Sequence, residues 1–391
     1  MKKYVTKKIV AAHLYPSPFT NESRMLREFD TLRKYKVVDR VIVVAAREKG
    51  LQDYEEMSDA FIHVYRFSKG YSKPNCSILL KLIGFIVWSL KVITFLNSKQ
   101  DIGIVQCHSF SVLPIGIAYK LKAGIRVIYD AHELESEKAG NGIFRRVLYR
   151  QIERVLLKKV DEVWVVSDAI KNWYKSVQRV DTKVVYNYPY SSSRFSKTTN
   201  RVDLRKIFNI SKTPLLFLYQ GVLCKGRGVE RIIQWFRRVN PKDAHVVFLG
   251  DGPIGNVVKI AADRYDNIHF HKAVPPNNLM NYTATADVGL SFIEPVSLSY
   301  RYCLPNKLFE YLHAGIGIWA SDLPEMRKVI REVRNGILLD PNIETAEAAN
   351  LIKSTTIEEV ANWKEASRRL RYKYTWEREE KKVINAYNKY M

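Results

Sequence analysis

The stretch from Leu215 to Arg238, LLFLYQGVLCKGRGVERIIQWFRR, contains the pattern on which the fold assignment rests. Leu215–Tyr219 is an apolar run that predicts a buried strand, and Val229–Arg238 predicts a helix. The turn between them holds three glycines, Gly221, Gly226 and Gly228. Glycine lets the backbone approach a ligand closely, and the helix N-terminus after the turn favours an anion. A strand, a turn and a helix in this order form the repeating unit of parallel α/β sheets.

The same alternation runs along most of the chain. Apolar runs predict these strands in the first half: Lys8–Leu14, Val37–Ala45, Ile102–Cys107, Arg126–Tyr129, Glu162–Val166 and Lys183–Val185. After Leu215–Tyr219, the second half continues with His245–Leu249, Ile268–Phe270, Asp287–Ser291 and Gly317–Ala320. We therefore predict an α/β protein with two Rossmann-like, doubly wound domains that face each other across a cleft, where the carboxyl ends of the strands collect ligands.

Composition indicates where the domains meet. Tyr188–Asn200 is rich in Ser, Thr and Lys, which is typical of an exposed linker. We expect an N-terminal domain over 1–190, a linker over 191–203, a C-terminal domain over 204–360 and a charged helical segment over 361–391. That last segment can pack on either domain, a return to the N-terminal domain included.

The charge balance is strongly basic, with 63 Lys and Arg against 40 Asp and Glu, a net charge of +23. This excess favours anionic partners such as phosphates, nucleic acid or an acidic lipid surface. No fixed-period repeat or long low-complexity tract occurs, which excludes solenoid, collagen-like and disordered classes. The four cysteines have no metal-binding spacing, so we expect neither a zinc site nor a disulfide framework, and a reducing, cytoplasmic location.

Two segments of the first half are candidates for contact with a membrane. Leu79–Leu96 is mostly apolar, but Lys81 and Lys91 interrupt it, which favours a helix lying in the membrane interface over one that spans it. A helix packed against a sheet is the alternative. In the second segment four basic residues recur at every fourth position, with apolar residues opposite: Arg146, Arg150, Arg154 and Lys158. A solvated basic face is the ordinary interpretation. Together the two segments predict a protein peripheral on the anionic inner face of the cytoplasmic membrane.

Leu304–Tyr311, LPNKLFEY, is the second candidate for chemistry. Pro305 suits the first turn of a helix, which leaves Asn306 and Lys307 beside N–H groups without intrahelical partners. Lys307 and Glu310 are three residues apart and lie on one helix face. A cation at a helix start opposes the macrodipole unless an anion lies there too, so the pattern indicates a phosphate ligand. A surface Lys–Glu pair is the alternative.

The glycine-rich turn carries positive charge as well, from Lys225 and Arg227. It matches neither the P-loop nor the dinucleotide fingerprint, so an ordinary strand–helix turn remains the alternative to an anion site.

These motifs together resemble a known family. The segments GVLCKGRGVERII, VVFLGDGP, ATADVGLSF, LPNKLFEYLHAG and ASDLPEM occur in this order, and they are similar to the donor-nucleotide domain of retaining GT-B glycosyltransferases of the glycosyltransferase family 4 (group 1) type. The first half is similar through four pieces: Ser17–Arg24, Ile128–Glu133, Val165–Ser167 and Val184–Tyr188. The resemblance covers nearly the whole chain.

The resemblance implies a donor site in the second half. Arg227 and Lys307 would clamp the pyrophosphate of a nucleotide-sugar and stabilise the charge that grows on it as the sugar departs. Glu310 would accept hydrogen bonds from the ribose hydroxyls, and Asn306 would lie beside the phosphates. The remaining donor-binding positions are Gly221 and Gly228. No DxD-like carboxylate cluster occurs in a plausible loop, so we expect no metal ion and no other cofactor.

The resemblance also implies a reaction-centre histidine in the first half. His132 matches a histidine that faces the donor sugar, with packing or capping of the strand end as the alternative. Asp130 and Glu133 either orient His132 or contact the acceptor. His108 is expected to be structural.

Two departures from the family pattern concern the donor site. Val222 and Leu223 follow Gly221 where many relatives carry Arg-Leu, which removes one phosphate-binding cation. Relatives also often have two glutamates with seven residues between them, whereas here Tyr302 stands where the first is expected. The nearest upstream acid is Glu294, and the identity of the sugar is left open.

We therefore predict a metal-independent hexosyltransferase that retains the anomeric configuration. It would move a sugar from a nucleotide-sugar, in the first place a UDP-sugar, to a hydroxyl of a glycolipid or lipid-linked glycan in cell-surface polysaccharide synthesis. The alternatives are a nucleotide-sugar 2-epimerase of GT-B fold and a non-enzymatic basic protein that binds nucleic acid or membrane. No basic groove with interleaved aromatic residues is apparent, so nucleic acid is not an expected partner.

Overall fold

The structure is a computed structural model that describes residues 9–20, 22–70, 77–191 and 201–390. The chain forms two compact units. The first unit ends at Tyr186 and resumes at Glu379, and the second unit is Asn187–Arg378. Each unit contains a largely parallel sheet covered by helices, so the predicted α/β class with two doubly wound domains is confirmed.

The first unit is built on an eight-stranded sheet. Its strands are β1 (Val10–Leu14), β2 (Arg40–Ala46), β3 (Tyr54–Met57), β4 (Ile62–Phe67), β5 (Ile102–Cys107), β6 (Arg126–Ala131), β7 (Glu162–Val165) and β8 (Lys183–Val184). They lie in the order β3-β4-β2-β1-β5-β6-β7-β8, in which β3 pairs antiparallel with β4 and the other neighbours pair in parallel. The chain moves outward in one direction from β1 and in the other from β5, so these two strands flank the switch point where such sheets bind ligands.

Its helices are α1 (Ser23–Lys34), α2 (Ile78–Asn97), α3 (Leu113–Ala123), α4 (Ile143–Leu157) and α5 (Asp168–Trp173). The strands predicted for this half are present, although Lys8 lies outside the described residues. Strand β2 starts later than predicted because the Val37 N–H donates to Leu32 and closes the end of α1. Strands β3 and β4 are additional, and the alternating exposure of β3 explains why no apolar run marks it.

Helix α2 has one buried face and one exposed face. Trp88, Val92 and Leu96 are fully buried. The exposed apolar side chains are Leu79, Leu80, Leu82, Ile83, Ile86, Val87 and Leu90. By length and composition, Leu79–Asn97 is the one helix in the described part of the chain that qualifies as a membrane span, with a mean hydropathy of 2.0 and 22 % of it buried. Core helices of soluble proteins pass the same test, but most of α2 is exposed.

In helix α4 the apolar face is exposed, whereas the sequence predicted that the basic face would be. Arg150 Nε donates to the buried carboxylate of Glu137 at 2.6 Å, and Arg154 donates to the Val177 carbonyl at 2.6 Å. The exposed side chains are instead apolar: Ile143, Phe144, Val147, Leu148, Ile152 and Val155. The predicted solvent-facing stripe of Arg146, Arg150, Arg154 and Lys158 is therefore wrong for Arg150 and Arg154, because internal acceptors draw their guanidinium groups toward the protein.

The second unit contains a six-stranded parallel sheet. Its strands are β9 (Leu215–Gln220), β10 (Ala244–Leu249), β11 (Ile268–His271), β12 (Val288–Ser291), β13 (Gly317–Ser321) and β14 (Gly336–Leu339). They lie in the order β11-β10-β9-β12-β13-β14, so β9 and β12 flank the switch point. The five strands predicted here are present, and β14 is additional.

The helices of the second unit cover both faces of this sheet. They are α6 (Leu204–Ile207), α7 (Val229–Phe236), α8 (Gly255–Arg264), α9 (Pro276–Thr283), α10 (Leu298–Arg301), α11 (Asn306–Ala314), α12 (Pro324–Val333), α13 (Thr345–Ser354) and α14 (Ile357–Leu370). Helix α7 buries Val229, Ile232, Ile233 and Phe236, a spacing that places them along one stripe against the sheet.

The unit boundaries differ from the predicted domain boundaries. The predicted limit at residue 360 falls inside α14, which packs on α11 and β13 within the second unit. The last helix, α15 (Trp376–Tyr390), belongs to the first unit from Glu379 onward. Most of the predicted linker, residues 192–200, lies outside the described residues.

Gly289 in β12 allows helix α11 to lie close to the sheet. A Cβ atom at this position would lie 2.3 Å from the ring of Tyr311, which is fully buried. The Tyr311 hydroxyl donates to the Leu218 carbonyl at 3.1 Å and accepts from the Gln220 N–H at 3.0 Å. Tyr311 thereby fixes α11 against the carboxyl end of β9.

We expect Gly289→Ala to lower the free energy of unfolding by about 1–3 kcal/mol, the usual cost of overpacking a core. Denaturant unfolding measures this change. Gly142→Ala is the matched control, because its Cβ would meet nothing within 4 Å. Equal stabilities for the two variants would contradict the close packing of Tyr311 on β12.

Candidate functional site

The loops that follow β9 and β12 hold most of the predicted donor residues. The loop after β9 contains Gly221 and Arg227 and ends at Gly228, the N-cap of α7. The chain after β12 passes Glu294 and reaches α11, whose first residue is Asn306. The Glu294 N–H donates to the Gly226 carbonyl at 3.0 Å. The two loops therefore meet at the switch point of the sheet.

The glycines of the first loop serve different purposes. Gly226 and Gly228 have φ values of +76° and +74°, which side chains rarely adopt. A Cβ on Gly228 would lie 2.7 Å from the Phe292 carbonyl oxygen, and one on Gly226 would lie 2.8 Å from the Tyr300 ring. These two glycines therefore allow the loop after β9 to lie close to the neighbouring segment that follows β12. Gly221, with φ +114°, has nothing within 4 Å of its Cβ position and faces open space.

Lys307 is buried, and no carboxylate of the described residues forms an ion pair with it. Its Nζ lies 3.6 Å from the centre of the Tyr219 ring and has no hydrogen-bond partner among the residues that the structure describes. Burial, and then the charge of Arg227, lower the pKa of Lys307 to about 7, while Glu310 opposes this shift. An ammonium in such a position lacks the three acceptors that it ordinarily finds in water.

Arg227 is the second cation at this edge. Its Cζ lies 5.2 Å from the centre of the Tyr300 ring, and its Nε is buried with no hydrogen-bond partner in the described part of the chain. Lys307 is the second residue of α11, and the N-cap residue Pro305 contributes no side-chain cap. Two unneutralised cations and an uncapped helix N-terminus therefore lie together, which is an environment suited to a polyanion such as a diphosphate.

Glu310 is held by two residues that were not among the predicted site residues. The Gln220 Nε2 donates to the Glu310 carboxylate, and Gln220 Oε1 accepts from Thr283 Oγ1 at 2.8 Å. Gln220 is the last residue of β9, so this network ties Glu310 of α11 to the carboxyl end of the central strand. Asn306, which is exposed, accepts through Oδ1 from Asn187 Nδ2 at 2.8 Å.

The first unit has a separate cluster of polar residues at its own switch point. His132 follows β6 and is partly exposed, and its Nε2 lies 2.9 Å from Asp130 Oδ2. Asp130 is fully buried and forms a two-point ion pair with Arg24, at 2.7 and 2.8 Å. Burial alone would raise the pKa of Asp130, but Arg24 and the neighbouring imidazoles hold it well below its usual range. The Asp130 carboxylate therefore accepts hydrogen bonds and does not reach a substrate.

This burial decides between the two roles open to Asp130. With its carboxylate enclosed by Arg24, His108 and His132, Asp130 can orient His132 but cannot contact an acceptor. Glu133 pairs with Lys138 at 2.8 Å and lies nearer the surface.

Two groups of side chains in the described residues have the composition of a metal site, and both include His108. They are His13, Glu28 and His108, and His108, Asp130 and His132, with ligand atoms within 4.8 Å of one another. Arg24 takes both oxygens of Asp130 and lies 3.3 Å from Glu28. A cation there would have to displace a guanidinium group, so we assign no metal to either group.

The structure brings together Arg227, Lys307 and Glu310 at one sheet edge, as their motifs predicted. It adds residues from distant positions, namely Tyr219, Gln220, Thr283 and Tyr300 in the second unit, and His13 and Arg24 in the first. Tyr219 and Gln220 directly precede the glycine turn at the end of a strand, which was the available signal for them. Arg24 ends the family-like piece Ser17–Arg24, whereas nothing local marked Thr283.

The sequence matches two family models that together span most of the chain. The model described as Glycosyl transferases group 1 matches residues 214–355, and the model described as Glycosyltransferase Family 4 matches residues 33–188. The chain belongs to the glycosyltransferases of the group 1, family 4 type. The first model covers the whole Arg227–Lys307 region, and the second covers His132. No curated protein sequence matches the chain.

Solved structures of glycosyltransferases have the same fold as this one. HepE of Anabaena in complex with UDP is 16 % identical, with a TM-score of 0.71, and the match covers 98 % of this chain and 100 % of HepE. Sucrose-phosphate synthase of Thermosynechococcus elongatus is 15 % identical, with a TM-score of 0.72 and coverages of 98 % and 99 %. WaaG, a glycosyltransferase involved in lipopolysaccharide biosynthesis, is 14 % identical, with a TM-score of 0.69 and coverages of 96 % and 99 %. The glycosyltransferase thus has the predicted GT-B fold.

The structure shows where the two departures from the family pattern lie in this glycosyltransferase. Val222, where relatives carry arginine, is exposed at 60 % beside Gly221. Tyr302 ends helix α10, whereas Glu294 directly adjoins the glycine loop through its bond to Gly226. The backbone of Glu294 therefore contacts the residue that precedes Arg227, and the role of Glu294 toward a sugar remains a prediction.

We expect Lys307→Met to stabilise the ligand-free glycosyltransferase by about 1–4 kcal/mol, because it replaces a buried unpaired charge with an apolar side chain of similar length. The pKa of Lys307 is about 7 in the folded chain and near 10.5 in the unfolded chain. Between these values the unfolded chain holds a proton that the folded chain has released, so wild-type stability rises with pH. The advantage of Lys307→Met should be largest at or below pH 7 and should shrink toward pH 10.

Denaturant unfolding at pH 6.5 and pH 9 measures this difference. Lys225→Met, an exposed lysine of the same region, should change stability by less than about 0.5 kcal/mol. A Lys307→Met variant less stable than wild type at both pH values would show that the ammonium has a partner.

Proposed function

We propose that this glycosyltransferase transfers a hexosyl group from a UDP-sugar to a hydroxyl of a glycolipid or lipid-linked glycan, with retention of the anomeric configuration. The observation that carries the proposal is the pair of unneutralised cations, Arg227 and Lys307, at the switch point of the second unit. A nucleoside diphosphate supplies the charge that this edge lacks. HepE, which shares the fold, has been crystallised with UDP and with UDP-glucose, and this supports uracil as the base.

The chemistry of transfer follows from the charge that these residues stabilise. When the bond between the sugar C1 and the diphosphate oxygen breaks, the electron pair stays on the diphosphate. Arg227 and Lys307 are fixed beside it and stabilise this charge most strongly in the transition state. The binding of the donor also raises the pKa of Lys307, which restores its positive charge where it is needed.

On the retaining course, the acceptor oxygen bonds to C1 on the face from which the diphosphate leaves. The departing phosphate oxygen takes the proton of the acceptor hydroxyl, so the step balances without a protein base. The two side-chain cations replace the charge that a metal ion would provide, and we propose a metal-independent reaction for that reason.

The remaining residues orient the donor. Glu310, held by Gln220, accepts hydrogen bonds from the ribose hydroxyls, and Asn306 lies beside the phosphates at the start of α11. Gly221 leaves room for the donor next to the end of β9. His132 presents its partly exposed ring to the sugar at the reaction centre, and Glu133, near the surface, is the acceptor-side candidate.

We further propose that the protein is cytoplasmic and attaches peripherally to the inner face of the cytoplasmic membrane, where a lipid-linked acceptor for cell-surface polysaccharide would lie. The exposed apolar faces of α2 and α4 support this, because each would enter the acyl boundary of a lipid monolayer. Lys81, Lys91 and Lys158 are exposed on the same helices and favour anionic headgroups. Attachment then combines apolar insertion with charge attraction.

UDP should raise the unfolding temperature of the protein, and a panel of UDP, GDP, ADP and CMP tests the choice of base. A ligand at a hundredfold its dissociation constant adds about 2.7 kcal/mol to the free energy of unfolding, which thermal-shift measurement detects easily. Lys307→Met should show no shift although it is folded, and the shift in wild type should be unchanged by a chelator. No shift with any nucleotide would overturn the donor site.

The affinity for UDP should fall as the pH rises above 7, since the Lys307 amine of the free site must then take up a proton on binding. Titration calorimetry in buffers of different ionisation enthalpy measures that proton uptake. Lys307→Arg provides the control, because arginine stays charged and its affinity should depend on pH only through the nucleotide.

Phe144→Glu and Leu90→Glu should each reduce the fraction of protein bound to vesicles that contain anionic lipid, because each places a charge on an inserting face. Co-sedimentation at low and high ionic strength measures the bound fraction. Ile260→Glu is the matched control, since the exposure of Ile260 (67 %) lies between those of Leu90 (59 %) and Phe144 (82 %) but Ile260 lies in the second unit. Absence of binding at every ionic strength, or equal loss in the control, would refute the membrane surface.

A further inference from the structure

Tyr219 lies directly against the ammonium group of Lys307. It is a fully buried residue near the carboxyl end of β9, and the centre of its ring is 3.6 Å from Lys307 Nζ. In the described part of the chain, no acceptor lies within hydrogen-bonding distance of this Nζ. The face of an aromatic ring carries partial negative charge and attracts a cation, most strongly where water is excluded. The Tyr219 ring is therefore a direct contact that favours the charged form of Lys307.

The ring of Tyr219 is itself held in place. Its hydroxyl donates to the Val222 carbonyl at 2.9 Å, and its ring packs against Phe248 with the ring centres 5.6 Å apart. Burial raises the pKa of Tyr219 well above its usual value, so the hydroxyl keeps its proton and the ring stays neutral. The bond to Val222 spans the turn at Gly221. Tyr219 therefore connects Lys307 of α11 with the glycine loop that follows β9.

The titratable groups that face Lys307 come from three segments. Arg227 and Cys224 belong to the loop after β9, Cys303 precedes α11, and Glu310 lies in α11 itself. Burial, and then Arg227, lower the pKa of Lys307, whereas Glu310 and the two thiols raise it. Among the described residues, none of these groups accepts a hydrogen bond from Lys307 Nζ. They act on the ammonium through space, and the aromatic ring acts on it by contact.

We propose that Tyr219 is a positioning residue of the donor site: the face of its ring holds the Lys307 ammonium, in its charged form, at the edge where the diphosphate binds. An ammonium has three N–H groups, and the ring faces it from one side, so hydrogens remain for phosphate oxygens. The inference rests on the proposed function for the identity of the ligand. It adds a role for β9, which supplies part of the charge stabilisation that the diphosphate completes. Tyr219 acts through Lys307 and needs no contact with the donor.

The proposed role and a purely structural role of the ring change the pKa of Lys307 in opposite directions. A ring that only keeps water away lowers this pKa, because burial disfavours the charged form. A ring that stabilises the cation raises it. Tyr219→Leu keeps an apolar side chain and removes the ring, so it separates the two. The pKa of Lys307 falls in this variant if the ring holds the cation, and it rises if the ring only excluded water.

Spectra of protein labelled with ¹³C at lysine Cε measure the titration of Lys307 without any nucleotide, and Lys307→Arg assigns its signal. Tyr219→Leu should lower the pKa of Lys307, which is about 7 in the wild type, by about one pH unit. Tyr219→Phe keeps the ring and should leave this pKa unchanged. The ring should also shift the Hε signal of Lys307 upfield in the wild type and in Tyr219→Phe. An unshifted Hε signal in the wild type would overturn the proposal, whether or not the variants fold.

Phe217→Leu is the matched control, because it removes another fully buried ring from the same strand. The Phe217 ring packs against the rings of Phe236 and Trp319, with centres 5.4 and 5.1 Å apart. This variant loses core packing, and the pKa of Lys307 should stay at about 7. An equal fall in Phe217→Leu and Tyr219→Leu would show a general effect of loosened packing in β9 and would overturn the proposal.

Titration calorimetry with UDP tests the consequence for the donor site. A pKa lower by one unit leaves about a tenfold smaller charged fraction of Lys307 at pH 8.5, so Tyr219→Leu should bind UDP about tenfold more weakly than the wild type there. In the Lys307→Arg background, Tyr219→Leu should leave the pH dependence of binding unchanged, because arginine stays charged.

The outcomes separate this inference from the proposed function. Equal affinities of Tyr219→Leu and the wild type for UDP at pH 8.5 would overturn the role of Tyr219 and leave the donor assignment intact. A wild type that binds no UDP at any pH would refute the proposed function, and the titration of Lys307 in the two Tyr219 variants would still test what the ring does.

Discussion

The buried ammonium of Lys307 is the feature on which the carboxyl edge of the second unit depends. An enclosed charge without a counter-ion costs folding free energy, and the Tyr219 ring, 3.6 Å away, offsets only part of that cost. Its neighbourhood is nevertheless rigid: Tyr311 fixes α11 over Gly289, and two glycines bring the Arg227 loop against the segment after β12. A fold that holds such a group firmly without neutralising it is arranged for a ligand that supplies the charge.

In the first unit, by contrast, the buried charges are paired with each other. Arg24 and Asp130 neutralise each other at 2.7 Å, and the histidines around them are ordered by hydrogen bonds within the protein. Arg24 occupies both oxygens of Asp130, and Asp130 in turn holds the ring of His132 by a hydrogen bond. The contrast between cations without acidic partners among the described residues and a paired charge is the physical reason for proposing phosphate binding in the second unit and orientation of a reacting group in the first.

Much of the fold could be predicted from the sequence, because parallel strands covered on both faces are short, continuous apolar runs. The donor motif was also local: Lys307 and Glu310 share a face of α11 through their spacing alone. What the sequence could not indicate were contacts between distant residues, such as Thr283 with Gln220 or Arg24 with Asp130. Edge strands β3 and β14 were not predicted for another reason. Their residues are partly exposed, so the sequence lacks a continuous apolar run there.

Helix α4 shows a further limit of sequence patterns, because an amphipathic sequence defines two faces without saying which one turns inward. The inward face of α4 carries Glu153, buried and bonded to Tyr174 at 2.6 Å, and its arginines meet Glu137 and the Val177 carbonyl. With these polar groups turned inward, the apolar face is left uncovered by the part of the chain that the structure describes. Exposed apolar area costs about 25 cal/mol per Å² in water, and a lipid monolayer removes that cost. The internal acids thus leave α4 with an apolar surface toward the outside, and the proposed contact with a membrane rests on how the interior satisfies its charges.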